Sequence, residues 1–143
     1  MRSPEKFTLS LFTLILLLTA CGQREPSPVA SDADIQQKLV GTWIKEMNLD
    51  DGVQVRSVTV FRPDGSYAGK GTIVESNKTQ WASEAGTFLV RGGVLILTMT
   101  KHSSTNARLP VVTRDRMVRL DDRELVMQSE ERPDLEVTFR RQR

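Results

Sequence analysis

Leu39-Val40-Gly41-Thr42-Trp43 is where this sequence changes character. Before it, Ser31-Asp32-Ala33-Asp34 has the S-x-x-D form of a capping box, in which Ser31 accepts from the Asp34 amide and Asp34 reaches back. Acidic residues in a first turn also suit the helix dipole. Ile35 and Leu39 are four apart and share a face. Gly41 fits the position just past a helix end, where a left-handed backbone is cheap only for glycine. The spacing predicts a short helix over Asp32–Leu39 that closes one end of a domain. After Gly41 the chain reads as short strands joined by polar turns.

The first strand is expected at Thr42–Met47 and the second at Val53–Arg62. In the second, apolar parity changes near Arg56-Ser57, which predicts a bulge or sharp bend. Arg62-Pro63-Asp64-Gly65 is the clearest turn, since proline presets φ and glycine supplies the left-handed residue. Further strands are expected at Ser66–Val74, Thr79–Ser83 and Gly86–Arg91. Gly92-Gly93 is a two-residue hairpin signal. Val94–Thr100 is apolar on both parities and is expected to be the most buried strand. Lys101–Pro110 is a polar loop. Val111–Leu120, Glu124–Ser129 and a last strand complete the set. In that last strand Leu135, Val137 and Phe139 alternate with Glu136, Thr138 and Arg140, a half-buried pattern. Eight or nine short strands with turns this tight pair antiparallel. A sandwich and an up-and-down barrel both fit. The barrel is favoured because hairpin follows hairpin without a long crossover.

The chain has 143 residues, 38% hydrophobic and 27% charged, which suits one globular domain behind a leader. Residues 1–20 read as that leader. Arg2 and Lys6 give a positive start, and Phe7–Leu18 is an apolar run of 12 residues. A membrane-spanning helix needs about 20, so the run is a signal-peptide core. Leu18-Thr19-Ala20-Cys21 resembles the bacterial lipobox, which implies cleavage between Ala20 and Cys21 and acylation of Cys21. Two or more acyl chains hold a protein on a bilayer where one does not. Gly22 rather than Asp after the cysteine resembles the pattern of lipoproteins sent to the outer membrane. Residues 21–31, with two prolines and no periodicity, form a tether, and residues 32–143 form the domain. Cys21 is the one cysteine, so the domain is held by its core and not by a disulfide.

A short helix, then G-x-W opening the first strand of an antiparallel meander, resembles the lipocalin and wider calycin group. The nearest likeness is to the small lipocalin-like lipoproteins of bacteria. Their L-x-G-x-W falls on Leu39–Trp43, their F-x-x-D-G hairpin on Phe61–Gly65, and their later G-x-[WF] on Gly86-Thr87-Phe88. The resemblance implies a barrel that binds a small apolar ligand or lipid. It also implies that Trp43 packs at the closed end against an arginine near the last strand. By position that is Arg140 or Arg141, and strand parity puts Arg140 on the polar face.

No catalytic, metal or cofactor site is expected. His102 is the single histidine and falls in the polar loop, with Asp115 only one conceivable neighbour. One histidine and one cysteine cannot make a zinc site. Asn48–Gly52 has the look of a calcium loop, but Thr59 stands where the bidentate glutamate is required. Without the leader 18 basic and 17 acidic residues remain, which excludes binding driven by nucleic-acid phosphates. Trp43, Phe61, Tyr67, Trp81 and Phe88 either line an apolar pocket or build the core. The expectation is a non-catalytic, membrane-anchored binder of a small apolar ligand, facing the periplasm. The alternative is a protein-docking module with a filled barrel, an inhibitor or envelope-assembly accessory.

Overall fold

The computed structural model describes residues 30–49, 52–76 and 78–143. The leader, Ala20, Cys21 and most of the tether lie outside them, as do Asp50 and Asp51 of the turn with calcium-loop character. Helix α1 (Asp32–Leu39) is followed by eight strands: β1 (Gly41–Asn48), β2 (Gln54–Phe61), β3 (Ser66–Glu75), β4 (Lys78–Arg91), β5 (Val94–His102), β6 (Val111–Leu120), β7 (Glu124–Ser129) and β8 (Glu136–Arg141). Each strand pairs antiparallel with the next, and β8 returns to β1, so the sheet closes into an up-and-down barrel. At the closing seam Trp43 lies opposite Arg141 and Lys45 opposite Phe139.

The local signals act as their chemistry requires. Ser31 Oγ accepts from the Asp34 amide at 3.2 Å, and Asp34 Oδ2 accepts from the Ser31 amide at 3.2 Å. The Ser31 hydroxyl also donates to Asp34 Oδ2 at 2.7 Å, and this bond, followed by that from the Ser31 amide, holds the Asp34 carboxyl below its ordinary value. Gly65 has φ +79° at the β2–β3 turn, and both Gly92 and Gly93 have positive φ at the β4–β5 turn. Two successive positive φ values are what a tight hairpin with right-twisted arms needs.

Three expectations are corrected. No bulge occurs at Arg56-Ser57: β2 runs in unbroken register against both neighbours. The parity change arises because Ser57 and Thr59 point into the barrel while Val58 and Val60 point outward. Thr79–Ser83 and Gly86–Arg91 are one strand of 14 residues, β4, with its irregularity against β5 at Ala85/Gly86. There a Cβ on Gly86 would sit 1.9 Å from the Thr98 carbonyl oxygen, so the strands approach this closely only with glycine. Finally, β7 is the most buried strand, not β5: Leu125, Val126 and Met127 are all buried, whereas only Leu95 is in β5. The run Val94–Thr100 faces alternately inward and outward, and its outward half stays partly covered by neighbours on the curved wall.

The core fills one end of the barrel. Leu39, Trp43, Phe61, Phe88, Leu95 and Leu125 meet there with Val90, Tyr67, Met127 and Phe139. Phe61 and Phe88 pack edge-to-face at 4.9 Å, a favoured aromatic geometry. Helix α1 lies over this end. Its Asp32 carboxylate accepts from the Gly92 and Gly93 amides at 2.9 and 3.3 Å, and Gln36 accepts from the Val90 amide at 3.4 Å. The β4–β5 turn thus gives its free amides to the helix, and the helix stops the barrel.

Candidate ligand cavity

At the plugged end Trp43 is fully buried, and its Nε1–H donates to the Leu39 carbonyl at 2.8 Å. Arg141 lies over the indole, its guanidinium carbon 4.3 Å from the ring centroid. One guanidinium nitrogen donates to the Val40 carbonyl at 2.8 Å and another to the Lys38 carbonyl. A cation is thereby set on the last carbonyls of α1, where the helix dipole is negative. Gly41 makes room for it: φ is +138°, and a Cβ would lie 2.6 Å from the Arg141 nitrogen. Arg140, one residue earlier, is exposed on the outer wall.

The other end is hollow. A cavity of about 400 Å³ opens between the β1–β2, β3–β4, β5–β6 and β7–β8 connections. Its size lies within the range of small-molecule sites. Phe61, Tyr67, Leu97, Met127 and Phe139 line it, and the space itself exists because β3 and β4 turn Gly69, Gly71 and Ala82 inward. Strand neighbours at these three positions present almost no side chain, so the wall recedes.

Five charged residues line this hollow: Arg56 and Lys70 have exposed side chains on the outward parity of β2 and β3, whereas Lys45 from β1, Glu84 from β4 and Asp115 from β6 are half-buried. Lys45 Nζ sits 5.6 Å from the centre of the Phe139 ring. Burial lowers the Lys45 ammonium from its ordinary value, against the opposing pull of Glu84 and Asp115. Burial raises the Asp115 carboxyl. Lys45 opposes that rise, and Glu131 and Glu130 reinforce it. The Tyr67 phenol is pushed up to about 12, first by burial and then by the Glu84 charge. Among the described residues, no ion pair within 4 Å joins Lys45 to either carboxylate.

The five aromatic candidates separate. Trp43 and Phe88 are core at the plugged end, while Phe61 and Tyr67 belong both to the core and to the cavity wall. Trp81 is neither. It is 77% exposed on the outer face of β4, because it pairs with Thr72 on the parity opposite to Ala82 and Glu84. His102 is not a free loop residue: it ends β5, lines the cavity, and its Nδ1 accepts from the Ser104 amide at 2.9 Å. Lys45, Glu84 and Asp115 escape a reading based on apolar alternation, which sends charges outward. The usable signals were that Lys45 shares parity with Trp43, and that Gly69 and Gly71 leave one face of β3 without side chains.

No protein-family model matches this sequence, and no curated protein is detectably similar to it. The fold and the cavity therefore stand on the chain's own residues.

Proposed function

We propose that this is a lipid-anchored envelope lipoprotein whose barrel holds a small, largely apolar molecule in the hollow end. The observation that carries this is the 400 Å³ cavity with an aromatic and aliphatic wall, opening opposite the helical plug. A barrel with no ligand to hold would be expected to fill its interior, since close-packed cores are the rule. The lipobox-like Leu18–Cys21 supplies the anchor. The outer wall supports a domain bathed in water: it carries Glu46, Arg56, Lys70, Arg114, Arg116 and Arg140, all exposed. A membrane-spanning barrel instead needs an apolar outer band. On this reading the protein is not an enzyme and requires no cofactor.

Filling the hollow tests the proposal. Ala82→Phe places a ring in the space beside Gly71. The wild-type protein, isolated from its own host, is expected to carry a co-purifying small molecule in native mass spectrometry and to bind an apolar fluorescent probe. Ala82→Phe should keep the far-UV circular dichroism of the barrel and lose both. Equal probe binding by the two proteins would refute the cavity as the site. The exposed Trp81 favours a second reading, docking of an envelope protein on the outer wall of β4. In that case Trp81→Ala, and not Ala82→Phe, removes the activity.

A further inference from the structure

Resting on the cavity reading above, we infer that the ligand is a small amphiphile with a zwitterionic head: an apolar body, and one cationic and one anionic group a few bonds apart. Three observations point there. The cavity wall presents charges of both signs, Lys45 against Glu84 and Asp115. These come from three separate strands, β1, β4 and β6. They are not neutralised by contact, since among the described residues no ion pair within 4 Å includes any of the three.

Sign complementarity then selects the head group. A simple alkanoate would satisfy Lys45 but bring a third negative charge beside Glu84 and Asp115. A simple alkylamine would balance one of the two carboxylates but bring no acceptor for the Lys45 ammonium. Like charges in a partly desolvated site repel more strongly than in water. Only a head with both signs gives the ammonium an acceptor and a carboxylate a donor at once, as charge-assisted hydrogen bonds. The apolar body then lies along Phe61, Leu97, Met127 and Phe139. Two sources offer such a head: free amino-acid-like molecules and zwitterionic lipids.

Matched probes test the inference on the full-length gene product in lipid nanodiscs, with empty nanodiscs as the blank. The short series is phenylalanine, phenethylamine and 3-phenylpropanoate. The long series is N-octylglycine, octylamine and octanoate. Isothermal titration should show the zwitterion of at least one series binding roughly tenfold or more tighter than both singly charged relatives. The series that binds tells free solute from lipid. Lys45→Met should remove that advantage over the amine, and Glu84→Gln the advantage over the carboxylate. Both variants delete a half-buried charge, so circular dichroism melting should show them folded. A singly charged probe that binds as tightly as the zwitterion overturns this inference and leaves the cavity reading intact. So does failure of all six while an uncharged apolar dye enters. Failure of the dye as well removes both.

Discussion

Arg141 does three things at once. It covers the Trp43 ring, caps the last carbonyls of α1 and sits opposite Trp43 at the seam of the barrel. Replacing it with alanine leaves those carbonyls without a charged donor and uncovers the indole. Cation–π and charge-assisted terms together predict a loss of roughly 2–4 kcal/mol in urea unfolding. Arg141→Lys keeps the charge but not the planar fork, and is expected to recover only part of that loss. Asp115 makes the opposite kind of contribution. Its carboxyl titrates near 3.8 when unfolded and higher in the barrel, chiefly through burial. Between those two values the folded chain keeps a proton that the unfolded chain has lost, so stability falls as pH rises through that window. Asp115→Asn should abolish that fall. Urea midpoints measured from pH 3.5 to 7 should therefore show the variant gaining on the wild type as pH rises, then running parallel to it.

Among the elements, β4 shows how closely glycine sets the course of the wall. At Gly86 a methyl group would strike the Thr98 carbonyl oxygen, whereas at Gly69 it would meet only the flexible Glu84 side chain at 3.1 Å. Gly86→Ala is expected to cost roughly 3 kcal/mol, the upper end for overpacking. Gly69→Ala should cost clearly less, and thermal melts of the two side by side would show it. Elements with strong local punctuation were legible from residues alone. The capping box placed α1 at Asp32–Leu39, and turn residues bounded Val111–Leu120 and Glu124–Ser129, all as observed. Illegible were the features that depend on what lies across the barrel. Ser57, Thr59 and Lys45 point inward because the interior is partly hollow there and not filled by a packed apolar core, which a rule of apolar-inside alternation cannot express. Trp81 faces water because register, and not hydrophobicity, sets its side of β4. The continuous β4 was hidden for a related reason: Gly86 reads as a strand start when it is a close crossing of two strands.

For the whole molecule, the proposed anchor and the proposed cavity are separable. Cys21→Ala should prevent acylation and membrane retention, read by incorporation of a clickable palmitate analogue and by membrane fractionation, while the barrel's probe binding stays unchanged. Loss of binding in that variant would mean that the lipid end takes part in the hollow. One property of the closed end reaches beyond the finished structure. The bond from Arg141 to the Val40 carbonyl joins positions 101 residues apart, one just before β1 and one in β8. A chain that leaves a ribosome amino end first exposes Trp43 long before its cover arrives. Ring closure must then wait for β8, a late, long-range step of the kind that makes such topologies slow to fold. Until β8 is made the sheet is an unlatched ribbon, and removing β8 would leave that ribbon permanently undone.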